Sequence, residues 1–541
     1  MRFTAQQRWL NLPVRDGAPK VALQLRTGDR RVREFEIELA ETPEAASWWA
    51  FYDLGAFRHC EIELVPSAPE SSALPLEGLV RLGDEPAGLA GLYHESARPQ
   101  LHFTSRRGWN NDPNGLVYHR GRWHLFFQHN PFGVHWGNMH WGHAVSPDLV
   151  HWTELPTALY PRSLKDMAYS GGGFVDHGNS AGFGRGAEDV LMVAFTSTGR
   201  GECLAWSPDG GDTLVEYEGN PVLRHRGRDP RVLWHAPTRR WVMVVYDETD
   251  SHWRYAFYTS SDLRTWLYAS AIPGFYECPD LFELAVDGDP AQRRWVLHGA
   301  ERRDVDGRRQ LARSSFQVGT FDGRTFTPET PVTQGHLGPH FYAAQTFANA
   351  PGGRVIMLGW LSGARYPGMP FSQGLTVPLE VTLRRTPSGL RLAFTPVAEL
   401  AALRRAVRRL EAPSLSQANA ALAASREELL DLTLELSLQR ESVLHLDLRG
   451  LAVVCDVAAG TITAAGVTAP LPLHDRRLAL RVLLDRGVIE LFAGGGLVAL
   501  SHGAGPAPAE APLRLDLRGP GRVESIEIAA MDSMWPHAIT P

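Results

Sequence analysis

Three acidic residues stand in sequence surroundings that could support acid–base or nucleophilic chemistry. Asp112 lies in the string NNDPNG, Asp229 in GRDPRV and Glu277 in FYECPDLF. Asp112 and Asp229 each precede a proline, which favours a stiff, extended backbone at the residue before it. Rigid placement is what a catalytic carboxylate requires. The three acids are therefore candidate catalytic residues.

Paired carboxyl groups that act without a metal or a thiol are typical of glycoside hydrolysis. One carboxylic acid protonates the leaving oxygen, and a second carboxylate attacks the anomeric carbon or activates water. Apolar neighbours favour a raised pKa at Glu277, as an acid needs. The amide neighbours of Asp112 suit an anionic nucleophile. Arg228 beside Asp229 predicts a carboxylate that is held ionised and grips sugar hydroxyls.

Other chemical motifs are weak or missing from the sequence. It contains no GxxxxGK[ST] loop, no GxGxxG opening a helix and no GxSxG elbow. The string HWGNMHWGH carries His135, His140 and His143, but residues 140 and 143 of an extended strand point to opposite faces. We interpret these histidines as ordinary polar or packed side chains, and expect no metal site and no cofactor.

A phrase that recurs in the middle of the chain predicts units of about sixty residues. SPDLVHW begins at Ser146 and SSDLRTW at Ser260, with looser copies from Ser207 and Gly319, so successive copies start 61, 53 and 59 residues apart. Each copy joins two strands through a tight Asp or Gly turn, and such a period fits the blades of a β-propeller. About five blades would fill residues 98–385. Equivalent points of successive blades converge on the axis, so acids at near-blade intervals could meet in one funnel.

The flanking regions predict two further domains. Residues 1–97 alternate in short apolar runs and indicate a small β domain. Residues 386–430 are rich in Ala, Leu, Arg and Glu, which favours a linker with helical turns. Residues 431–541 return to an alternation of period two and predict a C-terminal β-sandwich. The predicted fold class is all-β: a small N-terminal β domain, a five-bladed propeller and a sandwich.

Composition bounds the partners. The 541 residues include 54 Lys and Arg against 60 Asp and Glu, a net charge of -6, so no global charge attracts nucleic acid or an anionic membrane. The 4 cysteines form no CxxC pair. The first thirty residues hold no apolar core of signal-peptide length. We expect a protein that is cytoplasmic as written, or secreted if a leader has been removed, without nucleic-acid or membrane partners and with its oligomeric state open.

Several strings together resemble glycoside hydrolase family 32, the β-fructosidases that include invertases, inulinases and levanases. They are HFTSRRGWNNDPNGL, FFQHNPFGVHWGNMHWGHAVSPDLVHW, YSGG, GRDPRV, ECPDLF and FYAAQTF. The resemblance is strong over residues 95–385 and continues more weakly to the end. It implies a five-bladed propeller followed by a sandwich, retention of anomeric configuration, Asp112 as nucleophile, Glu277 as general acid/base and Asp229 as transition-state stabiliser. It also implies a fructose subsite lined by Asn111, Gln128, Trp136, Ser170, Arg228 and Tyr342.

The expected function is that of an exo-acting β-fructosidase acting on sucrose, inulin-type or levan-type substrates. A fructosyltransferase or an endo-levanase of the same family would use the same acids. An inverting propeller enzyme would use its acids across a wider gap, against which the motifs around Asp112 argue. A non-catalytic carbohydrate-binding protein would have no need of all three acids. Departures from common family residues at Asn110, Gly172, Tyr276 and Leu379 leave the linkage preference open.

Overall fold

The computed structural model describes residues 1–67, 75–249, 253–305, 308–503, 505 and 511–535, without the side chains of 302–312. Short strands joined by turns dominate it, as the 52 glycines and 38 prolines favour. Within the described ranges, no helix combines the length and the apolar character needed to cross a membrane.

The first domain is built from two small sheets, ordered β1-β6-β3-β4 and β5-β2-β7. Alternating side chains such as Leu23 and Leu25 point inward and are fully buried. The strands are β1 (Arg2–Thr4), β2 (Trp9–Val14), β3 (Val21–Thr27), β4 (Arg30–Ile37), β5 (Trp48–Asp53), β6 (Glu61–Pro66) and β7 (Arg81–Gly83). The helical turns are α1 (Leu76–Leu79) and the 3₁₀ turns Pro43–Ala45, Gly55–Phe57 and Leu89–Gly91.

The described residues from 108 to 396 form five four-stranded blades, so the predicted propeller is confirmed. Blade 1 contains β8 (Gly108–His119), β9 (Arg122–Asn130), β10 (His140–Ser146) and β11 (Thr153–Leu159). Blade 2 contains β12 (Gly173–Asp176), β13 (Val190–Ser197), β14 (Gly201–Trp206) and β15 (Val215–Glu216). Blade 3 contains β16 (Gly227–His235), β17 (Arg240–Asp247), β18 (Arg254–Ser260) and β19 (Leu267–Pro273), with a 3₁₀ turn at Ala236–Thr238.

Blades 4 and 5 are joined edge to edge through one parallel pair, Val286 with Leu383. Blade 4 contains β20 (Phe275–Val286), β21 (Asp289–Val305), β22 (Arg308–Phe321) and β23 (Phe326–Pro328), with β24 (Thr333–Gln334) added to β22. Blade 5 contains β25 (Tyr342–Thr346), β26 (Ile356–Trp360), β28 (Leu379–Thr386) and β29 (Gly389–Pro396), with a 3₁₀ turn at Pro351–Gly353. The short strand β27 (Phe371–Ser372) lies between β26 and β28 in sequence. It pairs with β8 and so ties the last blade to the first.

The recurring phrase closes the outer edge of successive blades. Each copy joins two strands, as predicted, and the structure shows that these are the third and fourth strands of a blade. Asp148, Asp262 and Asp322 each accept hydrogen bonds from backbone N–H groups two and three residues further on, at 2.7–3.0 Å. Side-chain bonds of this kind form turns without help from distant residues, which is why the repeat is legible in the sequence.

The innermost strands approach one another closely around the axis. The Gly115 N–H donates to the Gly171 carbonyl at 3.0 Å, and the Gly172 N–H donates to the Pro230 carbonyl at 2.9 Å. A Cβ atom on Gly173 would lie 2.3 Å from the carbonyl oxygen of Gly115. Glycine is therefore required where blades 1 and 2 meet.

The sandwich stacks two sheets, ordered β30-β40-β31-β36-β37-β38 and β35-β34-β33-β32-β39. The first sheet contains β30 (Arg404–Glu411), β31 (Leu430–Leu438), β36 (Arg477–Asp485), β37 (Val488–Ala493), β38 (Val498–Gly503) and β40 (Gly521–Met531). The second contains β32 (Val443–Leu448), β33 (Leu451–Asp456), β34 (Thr461–Ala464), β35 (Val467–Pro470) and β39 (Leu513–Arg518).

The segment 386–430 differs from the predicted linker. It does contain helical turns, the 3₁₀ helix Ala398–Leu403 and α2 (Leu415–Ala424), but it also supplies β29 to the propeller and β30 to the sandwich. The partner of β30 is β40, more than a hundred residues away in sequence. Because β30 is mostly exposed on both faces, its sequence lacks the apolar alternation that marks a strand.

A buried ionic cluster, the hub, joins the sandwich to the propeller. His102 Nδ1 lies 2.8 Å from Asp485 and its Nε2 lies 3.3 Å from Glu490, and all three side chains are fully buried. Burial alone would lower the pKa of His102, but the hydrogen bond with Asp485 and the close charges of Asp485 and Glu490 raise it to about 9. Asp485 also accepts from the N–H groups of Gln100 and Leu101 at 2.7–2.8 Å. The hub thus fixes the segment that leads into blade 1 against the sandwich.

Candidate active site

The three acids, Asp112, Asp229 and Glu277, lie on the innermost strands of blades 1, 3 and 4, and we call them the funnel acids. At each of them the pairing of the innermost strand with its neighbour is interrupted. The register shifts fall between Asn110 and Pro113, between Arg228 and Arg231, and between Tyr276 and Asp280. Such bulges redirect side chains out of the regular pleat.

The backbone of Asp229 is not extended, so the prediction drawn from Pro230 is wrong. Its φ is +66°, and Glu277 and Cys278 both have φ of +50°. Left-handed φ values cost roughly 1–3 kcal/mol at non-glycine residues and persist where tertiary contacts enforce them. Here the Asp229 N–H donates to the Thr196 hydroxyl at 2.9 Å, and its carboxylate accepts the Cys278 N–H at 3.0 Å. Contacts from blades 2 and 4 therefore override the local preference.

Asp112 is surrounded by hydrogen-bond donors. The Ser170 hydroxyl donates to its Oδ2 at 2.5 Å, and the Asn111 amide donates to its Oδ1 at 3.0 Å. The Trp109 indole N–H donates to Oδ1 of the Asn111 side chain at 2.8 Å. Burial raises the pKa of Asp112 to about 6, while the bonds from Ser170 and Asn111 oppose this rise. These donors stabilise the ionised form and orient it.

Glu277 is held at both carboxylate oxygens. Arg228 donates to Oε1, the Tyr342 hydroxyl donates to Oε2, and the Tyr255 hydroxyl donates to the Glu277 backbone carbonyl at 2.6 Å. The sequence predicts Arg228 as the ionic partner of Asp229, but Arg228 donates hydrogen bonds to Glu277 and to the Tyr276 hydroxyl. Neighbouring side chains on a strand project in different directions, so adjacency in sequence is a poor guide to pairing here. The Arg228 charge still lowers the pKa of Asp229.

The thiol of Cys278 lies between two funnel acids, 3.7 Å from Asp229 Oδ2 and 4.0 Å from Asp112 Oδ2. Burial raises the pKa of Asp229 to about 7; Arg228 opposes the rise, and the charges of Glu277 and Asp112 add to it. Interacting carboxyl groups of this kind titrate as a set. The funnel can therefore retain a proton near neutral pH.

The remaining predicted residues lie around this centre. The Gln128 amide is buried and donates to the Ala168 carbonyl at 2.9 Å. Trp136 is 49% exposed, and its ring meets Tyr169 edge to face at 6.1 Å between centroids. Tyr169 directly precedes Ser170, the donor to Asp112. Trp136 therefore stands at the mouth of the funnel.

Sequence reasoning missed Thr196, Tyr255 and the placement of Cys278. Thr196 and Tyr255 are ordinary strand residues of blades 2 and 3, and nothing in their neighbourhoods marks them. Cys278 adjoins the candidate acid Glu277, and this could have marked it as part of the site. Its contact with the other two funnel acids depends on the fold. Among the described residues, no group of three or more His, Cys, Asp or Glu side chains is arranged to hold a metal ion.

A propeller funnel with converging carboxyl groups and an aromatic ring at its mouth defines a carbohydrate-processing class of protein. Comparisons with known proteins then identify the family. Residues 102–396 match the glycosyl hydrolases family 32 N-terminal domain, and residues 452–511 match the family 32 C-terminal domain. The chain belongs to glycoside hydrolase family 32 and is a glycoside hydrolase.

Relatives include a levanase of Bacillus subtilis, 34% identical over 492 residues that cover 82% of this chain and 72% of the levanase. An extracellular exo-inulinase of Aspergillus niger is 34% identical over 350 residues, which cover 55% of this chain and 65% of the inulinase. Both the chain and these relatives therefore have regions outside the match.

Solved structures show the same architecture. The exo-inulinase from Aspergillus awamori superposes with a TM-score of 0.71 at 26% identity, over 82% of this chain and all of that one. A β-fructofuranosidase from Schwanniomyces occidentalis, complexed with fructosyl-erythritol, gives 0.69 at 25% identity, over 81% of this chain and 98% of the other. The predicted all-β class, with a propeller followed by a sandwich, is confirmed.

Proposed function

We propose that this protein is a retaining, exo-acting β-fructosidase that releases terminal β-D-fructofuranosyl residues from sucrose, inulin-type or levan-type substrates. The observation that supports this best is the meeting of the three funnel acids, each with a different set of partners. The relatives named levanase, exo-inulinase and invertase support the substrate class.

In the proposed first step, Asp112 attacks the anomeric carbon of the fructosyl unit. Its Oδ atom forms a bond to that carbon while the bond to the leaving oxygen breaks, and protonated Glu277 gives its proton to the leaving oxygen. Ser170 and Asn111 hold Asp112 in place for attack. The products are the departing sugar with a free hydroxyl and a covalent fructosyl ester on Asp112.

In the proposed second step, Glu277 works in reverse. It takes a proton from water, the water oxygen bonds to the anomeric carbon, and the ester bond to Asp112 breaks. Arg228 and Tyr342 hold the Glu277 carboxylate oxygens. Two displacements at one carbon restore the original configuration.

Asp229 is proposed to bind fructosyl hydroxyl groups as charge develops on the ring. Its carboxyl group is buried and accepts the Cys278 N–H, and its backbone N–H is held by the Thr196 hydroxyl, so it needs no rearrangement when substrate enters. Hydrogen bonds between a carboxylate and ring hydroxyls strengthen in an oxocarbenium-like transition state. Asn111, Gln128, Trp136, Ser170, Arg228 and Tyr342 are proposed to complete the fructose subsite.

A time course on sucrose, inulin and levan, with products separated by chromatography, tests the proposal. From inulin and levan we expect free fructose as the sole new short sugar from the earliest points, and from sucrose we expect fructose with an equal amount of glucose. Oligosaccharides from inulin or levan would indicate endo-cleavage, and new fructosyl oligomers from sucrose would indicate transfer. Proton NMR of the first turnovers should show β-fructofuranose before mutarotation, whereas the α anomer would contradict retention.

A further inference from the structure

The first domain grips the loop that carries Trp136. The loop, residues 131–139, joins β9 to β10 at the funnel end of blade 1. Phe132 of this loop is buried in the core of the first domain, where its ring stacks on Phe35 at 3.9 Å between centroids and 13° between planes. An aromatic side chain from the propeller thus belongs to the core of another domain.

A second contact fixes the far end of the loop. The buried Asn138 side chain accepts from the Glu36 N–H and donates to the Glu36 carbonyl, both at 2.8 Å. The amide therefore pairs with β4 as a neighbouring strand would. Asn138 has φ of +44°, a conformation that needs such support.

Asn130 fastens the loop from inside. Its Oδ1 accepts from the Phe132 N–H at 3.1 Å and from the Asn138 amide at 2.9 Å, and its own amide donates to the His135 carbonyl at 2.8 Å. The bond to His135 lies one residue before Trp136. Both ends of the loop are thus set by β4, and its centre is set by Asn130.

We propose that Phe35 of the first domain is a positioning residue for substrate recognition, acting through the 131–139 loop on Trp136. The path is continuous: Phe35 stacks on Phe132, the loop presents Trp136, and Trp136 meets Tyr169, the residue before Ser170. This inference rests on the proposed function, because it takes Trp136 as part of the fructose subsite. It assigns the first domain a role in specificity beyond stabilising the propeller.

Steady-state kinetics of Phe35→Ala, Trp136→Ala and the double variant test the proposal on sucrose and inulin. Each single variant should lose about tenfold in kcat/KM, mainly through a higher KM, as expected for one aromatic contact. Because Phe35 acts through Trp136, the double variant should lose no more than about twofold beyond Trp136→Ala. The proposal would be overturned if the losses of the two single variants multiplied in the double variant, or if Phe35→Ala left kcat/KM unchanged.

Ile62→Ala is the matched control, since Ile62 is a fully buried core residue of the same domain on β6, two strands away from β4. It should weaken the first domain while leaving kcat/KM at the wild-type value. A loss of kcat/KM as large as that of Phe35→Ala would show that general loosening of the domain is sufficient, and would also overturn the proposal.

Hydrogen–deuterium exchange separates this inference from the proposed function. Phe35→Ala should speed exchange of the peptide covering residues 131–139, and Ile62→Ala should not. If the wild-type protein released fructose from none of the substrates, the proposed function would fail. Exchange of the loop in Phe35→Ala would then still show whether Phe35 holds the loop in place. If added fructose protected the loop in the wild type but not in Phe35→Ala, Phe35 would have a role in sugar recognition; without that difference it would have none.

Discussion

Two buried clusters that contain carboxyl groups, the hub and the funnel, differ in how their charges are stabilised. In the hub, Asp485 and Glu490 flank His102, whose pKa is raised to about 9, so the ring carries a positive charge at neutral pH. In the funnel, burial raises the pKa of Asp112 to about 6 and that of Asp229 to about 7. In the hub, His102 and the two acidic side chains stabilise one another's charge. In the funnel, ionising Asp112 or Asp229 costs free energy because burial favours the neutral form.

The two clusters also differ in the pH range over which they affect stability. A carboxyl group whose pKa is raised on folding stabilises the folded state most below its unfolded value of roughly 4, and that stability is lost as the pH rises through the folded value. For Asp112 and Asp229 the loss falls between about pH 4 and pH 7. A histidine with a raised pKa contributes fully below roughly 6.5, and for His102 this is lost as the pH rises through about 9.

The largest expected effect comes from Asp112→Asn. If the funnel acids serve chemistry, this variant should lose at least roughly 10⁴-fold in kcat while its thermal midpoint at pH 8 is equal to or above that of wild type. Initial rates on sucrose and calorimetry would check both. Asp262→Asn, in a surface turn of blade 3, should leave the rate unchanged. Near-normal turnover in Asp112→Asn would remove the nucleophile assignment.

Glu277→Gln should show the next largest effect, and its size should depend on the leaving group. On sucrose the rate should fall about 10²–10⁴-fold, because the leaving oxygen no longer receives a proton. A fructoside with an acidic phenol as leaving group needs little protonation and should lose much less. Comparing kcat/KM for the two substrates measures this, and equal losses would contradict the acid role.

Asp485→Asn probes the hub and should affect stability instead of activity. Removing one charge from a buried, paired cluster costs roughly 3–5 kcal/mol, measurable as the shift in a urea unfolding midpoint. The kcat/KM at 25 °C should stay at the wild-type value. Asp516→Asn is the control, since its pair with Arg518 is exposed on both sides and should cost less than about 1 kcal/mol. If Asp485→Asn lost activity without losing stability, the hub would act in the reaction and not in folding, contrary to this comparison.

Asp229→Asn should change the stability less than Asp485→Asn does, and in the opposite direction. The neutral amide avoids burying a charge, so at pH 8 the free energy of unfolding should rise by about 2–4 kcal/mol. At pH 4 wild-type Asp229 is already protonated, and the gain should shrink towards zero. Denaturant titrations at the two pH values check this; a gain that is the same at both would show that charge burial is not its cause.

Features that arise from contacts within a few residues could be predicted from the sequence. The turns at Asp148, Asp262 and Asp322 are made by one side chain and its own backbone, so they recur as a readable phrase and reveal the blades. The unusual neighbours of the funnel acids marked them in the same way. Strand β30 left no such mark, because its partner β40 lies far along the chain and its faces are mostly exposed.

The geometry of the site was decided by the tertiary structure. Pro230 favours an extended Asp229, yet contacts with Thr196 and Cys278 hold it at positive φ. Arg228 adjoins Asp229 in sequence but pairs with Glu277 across blades 3 and 4. The sequence alone could not predict this pairing. The repeating blades could be inferred from the sequence because their turns are closed by bonds between near neighbours, and the candidate acids because of the residues that adjoin them. Only the closed propeller decided how the acids meet and share charge, because burial and partners come from strands that the ring brings together.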